Sequence, residues 1–108
     1  MHKALFVCGK NKLRSPTAEA VFSQKPEWEV RSAGVNSDAD IVLGENDILW
    51  ADTIFVMEKK HKQKIQKQFK SCLKNQRLIC LDIPDIYEYM DERLVLILRD
   101  KVSRFFKE

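Results

Sequence analysis

The segment Lys3–Cys8, KALFVC, constrains the fold more than any other part of the chain. It is an apolar run of strand length that stops at a cysteine and gives way to Gly, Lys and Asn. A strand apolar on both faces has to be covered on both, which is the situation of a parallel sheet between two helical layers. Further segments read as strands at Trp28–Ala33 (WEVRSA), Thr53–Met57 (TIFVM) and Arg77–Asp82 (RLICLD). Helical patterns alternate with them. Ser15 followed by Pro16 has the signature of an N-cap and first helical residue. Glu45–Trp50 is a short helix, and Glu58–Asn75 is an amphipathic one with Ile65, Phe69, Cys72 and Leu73 on its apolar stripe, where His61 also falls. Asp91–Phe106 sets Leu94, Val95, Leu98, Val102, Phe105 and Phe106 on one inner face. The alternation predicts one α/β domain over residues 1–108, doubly wound with right-handed crossovers. Its 108 residues suffice for a single core.

The net charge is +3, and it is unevenly spread: Lys59–Arg77 holds eight Lys or Arg and no acid. The helical period places those lysines on the solvated face of the third helix, where they also attract anions. The cysteines, Cys8, Cys72 and Cys80, have neither paired nor metal-ligand spacing, so free thiols in a reducing compartment are expected. The first apolar run is too short for a signal peptide and no run reaches membrane-spanning length. A cytoplasmic protein is the expectation, with no metal or organic cofactor implied.

Cys8 ends the first strand and Ser15 opens the first helix, so the loop between them collects turn amides at a helix N-terminus. Such a cradle binds phosphate through N–H donors and a fixed partial positive charge. Arg14 adds a bidentate fork for the same oxyanion. The field of such a loop favours the thiolate of a cysteine placed in it, and Ser15 can donate its hydroxyl to the sulfur. A nucleophile, a phosphate seat and a clamp for developing charge are what attack on phosphorus requires.

The string VCGKNKLRSPTAE (Val7–Glu19) resembles the phosphate loop of the low-molecular-weight protein tyrosine phosphatase family. Three further landmarks follow in that family's order: RSAGV (Arg31–Val35), ADTIFVME (Ala51–Glu58) and DIPDIYEYMD (Asp82–Asp91). The resemblance spans the chain and implies a small three-layer flavodoxin-like α/β fold, a four-stranded parallel sheet in order 2-1-3-4 with helices on both faces. It implies a cysteine-dependent phosphomonoester hydrolase working through a phosphocysteine. Cys8 is then the nucleophile, Arg14 the oxyanion clamp, and Asp85 the general acid and later base, favoured over Asp82. Gly9, Lys10, Asn11, Lys12, Leu13 and Ser15 form the phosphate-binding loop, with Ser32 supporting Asn11. Glu58 is expected to cap or support the third helix, with no catalytic part.

The chain also departs from that pattern. The segment between Ser32 and Ala51 is short, which removes a far wall and a histidine beside the loop. Leu13 stands where the family has a second loop cysteine. Gly9 and Lys12 replace apolar walls of an aryl slot, leaving Tyr87 as the expected substrate wall. Lys10 and Lys12 are expected to make the mouth cationic, suiting a substrate with further negative charge, or one docked by a larger surface, better than an isolated phosphotyrosine. The substrate class is a phosphorylated protein or small molecule. The alternatives are a nucleotide or RNA phosphatase on the same scaffold, an arsenate reductase, and a non-catalytic phosphate-binding module.

Overall fold

The computed structural model describes residues 1–106. Four strands, β1 (His2–Cys8), β2 (Trp28–Gly34), β3 (Thr53–Val56) and β4 (Arg77–Cys80), form one parallel sheet in the order β2-β1-β3-β4. Between and after them run α1 (Arg14–Phe22), α2 (Glu45–Trp50), α3 (Lys59–Gln68) and α4 (Glu92–Ser103), with a single 3-10 turn at Lys70–Cys72. The fold is the flavodoxin-like α/β arrangement expected from the sequence.

Alternation along the central strand builds two cores. Ala4, Phe6 and Cys8 face α1 and α4, together with Phe55, Phe22, Leu94 and Leu98. Leu5 and Val7 face the other way, with Ile54, Val56, Ile48 of α2 and Ile65 of α3. Phe6 stacks between Phe22 and Phe55 at centroid distances of 5.2 and 4.9 Å, geometry that adds to the gain from burying the rings. Because β1 lies inside the sheet and its flanking connections go to opposite faces, its carboxyl end sits at the topological switch point. Ligands bind there in open α/β sheets, and Cys8 is the residue that ends β1.

The element ends differ from the sequence reading for physical reasons. Helix α1 begins at Arg14 behind Leu13, with no side-chain cap bond. Ser15, the expected N-cap, has its hydroxyl 3.0 Å from the Cys8 sulfur instead. Strands β3 and β4 stop short of Met57 and Asp82, yet the chain stays laddered through Met57 N–H to Val7 O and Ile83 N–H to Met57 O. Helix α4 ends at Ser103, which releases Phe105 to solvent, while Phe106 packs against His2, Trp28 and Phe55. No helix among the described residues is long and apolar enough to cross a membrane.

The short segment after β2 folds back against the end of β1. Gly34 N–H donates to Ile41 O and Leu43 N–H donates to Gly34 O, both at 2.8 Å. A Cβ on Gly34 would stand 2.5 Å from Gly9 O, 2.6 Å from Ala39 Cβ and 3.0 Å from Asn11 N. Two of those neighbours are backbone, so they cannot rotate away. Gly34→Ala is therefore expected to lower unfolding free energy by about 1–3 kcal/mol and to weaken anion binding at the loop, measured by urea denaturation and phosphate titration. A variant as stable as the parent would show that the loop yields at no cost.

Candidate active site

The residues from Cys8 to Arg14 wrap around the end of β1, and the segment after β2 fixes their peptide planes. Val35, Asn36 and Asp40 N–H groups donate to the carbonyls of Cys8, Gly9 and Lys10, each at 3.0 Å. In a trans peptide the N–H lies opposite the carbonyl, so carbonyls held outward turn the next three amides inward. One of them, Asn11 N–H, donates to the Cys8 sulfur at 3.2 Å. Asn11 adopts φ 55°, the left-handed region that Asn tolerates better than most residues. Its side-chain amide donates to Ser15 Oγ (3.0 Å) and Ser32 Oγ (2.9 Å), and Ser32 donates onward to Glu19 at 2.6 Å. The Ser15 hydroxyl can then turn its hydrogen to the sulfur, 3.0 Å away.

Arg14 is 4% exposed and held by two acceptors at one guanidinium nitrogen. Its guanidinium donates to Glu58 at 2.6 Å and to Ile83 O at 2.7 Å, and lies 3.6 Å from Asp85. Two of these partners belong to the segment after β4, so one side chain joins the anion loop to the segment carrying the acid. Burial pushes the Glu58 carboxyl up, and the Arg14 bond and charge outweigh it, leaving the group below its ordinary value. Thr17 ties the two segments again: its hydroxyl donates to Leu13 O at 2.6 Å and accepts from Met90 N–H at 2.9 Å.

A cavity of about 300 Å³ opens over this arrangement. Of the expected residues, Cys8, Gly9, Lys10, Lys12, Leu13, Arg14 and Asp85 line it, while Asn11, Ser15 and Ser32 lie behind as supports. Asp82 is elsewhere. It turns the chain with φ 52°, and Lys101 binds its carbonyl and that of Leu81 at 3.1 and 2.6 Å. Tyr87, expected as a substrate wall, packs against the core beneath Arg93. The exposed apolar side chain beside Asp85 is Ile86, 70% exposed. Lys10 and Lys12 do not form a free cationic rim either, because Asp38 and Asp40 of the short segment pair with them at 3.6 and 2.7 Å. Both pairs are exposed and screened by solvent, so they neutralise the mouth more than they stabilise it.

Asn36, Lys60 and His61 complete the lining. His61 falls on the apolar stripe of α3 as the period requires, but it is 1% exposed and reaches the cavity wall. Its Nδ1 accepts from Glu58 N–H at 3.2 Å, and its Nε2 has no hydrogen-bond partner among the described residues. An unmade buried donor costs roughly 1–3 kcal/mol. Burial first, and the Arg14 charge second, push His61 down to about 4, so the ring is neutral near neutral pH. No group of His, Cys, Asp and Glu that could hold a metal occurs among the described residues.

The depressed His61 sets the sign of a pH effect. Between about pH 6.5 and 4 the unfolded chain binds a proton at this ring that the folded chain refuses, so stability falls as pH falls through that window. The loss approaches ~3 kcal/mol once the pH nears the lower value. Urea denaturation across the window is expected to show this slope, shallower in His61→Asn, with the residual slope belonging to His2 and the carboxylates. An unchanged slope in the variant would contradict a neutral, buried ring.

No protein-family model and no curated protein matches the chain. Solved structures do. YwlE arginine phosphatase from Geobacillus stearothermophilus is 23% identical with a TM-score of 0.74, covering 99% of this chain and 94% of that one. SP-PTP, a low molecular weight protein tyrosine phosphatase from Streptococcus pyogenes, is 17% identical with a TM-score of 0.76, over 100% and 95% of the two chains. Vibrio vulnificus Wzb in complex with benzylphosphonate is 21% identical with a TM-score of 0.76, over 96% of each. At these identities the likeness is one of architecture along the whole chain: the protein has the fold of the low-molecular-weight protein tyrosine phosphatases.

Proposed function

We propose that the chain is a cysteine-dependent phosphomonoester hydrolase. The observation that carries this reading is the Cys8 sulfur at the floor of the loop, accepting from Asn11 N–H and in reach of the Ser15 hydroxyl, in one cavity with Arg14 and Asp85. The inward amides would bind the phosphoryl oxygens, and Arg14 would stabilise the charge that grows on them. Attack by the Cys8 thiolate forms the S–P bond as the P–O bond to the leaving group breaks, and the Asp85 carboxylic acid hands its proton to the departing oxygen. Water then attacks the phosphocysteine, giving its proton to the Asp85 carboxylate, and inorganic phosphate leaves with the thiolate restored. Glu58 would act through Arg14 by fixing the guanidinium before substrate arrives, so that little reorganisation remains for the transition state.

The similar structures include both an arginine phosphatase and a protein tyrosine phosphatase. What is common to both is transfer of a phosphoryl group, and the Cys8, Arg14 and Asp85 arrangement supports that class for this chain. Among the described residues the cavity lining contains no aromatic ring other than His61, so a flat aryl group would find no stacking wall there. This argues against a site built for phosphotyrosine in particular.

Steady-state hydrolysis of p-nitrophenyl phosphate tests the assignment. Cys8→Ser is expected to abolish turnover. Asp85→Ala is expected to cut kcat by about 10²–10⁴, the usual contribution of a general acid–base group. Glu58→Gln should lower kcat with a smaller change in KM. Turnover surviving Cys8→Ser would overturn the cysteine mechanism, and an inactive parent that still binds phosphate would make the chain a binding module.

A further inference from the structure

His61 is the polar side chain at the cavity that the proposed chemistry does not use. With Nδ1 accepting from Glu58 N–H, the ring proton of the neutral imidazole sits on Nε2, a buried donor without a partner among the described residues. Its nearest carboxylate oxygen, on Glu58, is 3.8 Å away, beyond hydrogen-bond reach, and already engaged by Arg14. The place it lies against is Gly9. No glycine among the described residues has a positive φ, so backbone conformation does not require glycine there. A Cβ on Gly9 would come within 3.8 Å of His61 Nε2 and 3.3 Å of Asn36 Nδ2. The missing side chain thus leaves a niche with two N–H groups in its wall, and all three residues line the cavity that holds Cys8 and Asp85.

We infer that this niche is a subsite for an oxygen acceptor on the leaving group, with His61 Nε2–H as the donor that holds it. The inference rests on the phosphatase reading and names the substrate class: a phosphorylated molecule whose leaving group carries a carboxylate, phosphate or hydroxyl beside the transferred phosphoryl. The phosphoryl oxygens are already served by the loop amides and Arg14, which leaves the niche for a second group. The donor is neutral and buried, so it favours an acceptor by direction more than by charge. The nearby charges of both signs, Arg14 and Lys60 against Glu58 and Asp85, leave little net field to do that work.

The test uses Cys8→Ser, which cannot form the phosphocysteine, titrated with inorganic phosphate and with pyrophosphate as a phosphate bearing a second acceptor group. Pyrophosphate is expected to bind tenfold or more tightly than phosphate and to move the His61 Hε2–Nε2 resonance downfield in ¹H–¹⁵N spectra. Adding His61→Asn should remove the advantage, because the Asn oxygen can replace Nδ1 as acceptor for Glu58 N–H but nothing replaces the ε donor. His61→Gln should recover part of it, and Gly9→Ala should lose it by filling the niche. If His61→Asn does not fold, the resonance and Gly9→Ala decide. Both anions binding with the resonance unmoved, or His61→Asn weakening both alike, would overturn the subsite and leave a positioning residue. Failure of phosphate itself to bind would instead strike the phosphatase reading on which the subsite rests.

Discussion

The outward pinning of three carbonyls at the end of β1 is the constraint on which the rest of the site depends. Val35, Asn36 and Asp40 hold the carbonyls of Cys8, Gly9 and Lys10, and the planar peptide then leaves the following amides facing in. An array of amides aimed at one point repels itself and needs outside support. Part of that support is Asn11, whose left-handed backbone is held by its own side chain through Ser15 and Ser32 to Glu19. The rest is the close approach at Gly34, where no Cβ separates β2 from the loop. The sheet order contributes by bringing β2 beside β1, so the segment that follows β2 emerges where the carbonyls need donors.

Charge is arranged on the same economy of parts. Arg14 is buried and cannot lose its proton, so it must be paired, and Glu58 and Ile83 O supply that pairing on the side away from the cavity. The remaining edge of the guanidinium looks toward Asp85 and the anion seat. Glu58 in turn opens α3 and gives its N–H to His61, which fixes the ring's tautomer. One short stretch, Glu58–His61, therefore governs both the clamp and the uncommitted donor beside it. The orphaned Nε2 is a stability cost kept at the cavity wall, the place where an incoming ligand could satisfy it.

The fold was legible because its signals are local. An apolar run covered on both sides, alternating with helical stripes, leaves few topologies. The strand-to-helix loop could be read as an anion cradle because Cys8, Arg14, Ser15 and Asn11 lie within a few residues of one another. What the sequence hid is what depends on residues far apart. Glu58 is 44 positions from Arg14, and nothing in a capping signal says that the cap also holds an arginine. Asp38 and Asp40 lie in a segment whose shortness reads as a deletion, and only its return path shows them pairing with Lys10 and Lys12. His61 satisfies the apolar stripe of α3, so periodicity places it in the core and cannot say that its far nitrogen reaches a cavity. Tyr87 packs against the core rather than lining the cavity, and spacing along a loop does not determine which way an aromatic turns. Ser15 reads both as a cap and as a partner of the thiol, since a hydroxyl ahead of proline looks the same in either part, and the structure forms only the second.

In the proposed mechanism Cys8 carries the phosphoryl group between two chemical steps. Rapid-quench mass spectrometry of Asp85→Ala mixed with p-nitrophenyl phosphate tests it most directly, because loss of the base for the second step should let the intermediate accumulate. A single phosphoryl group mapped to Cys8, forming and decaying at rates that account for turnover, is the predicted result. Turnover by the parent protein with no adduct on Cys8 in either protein, or an adduct on another residue, would contradict it.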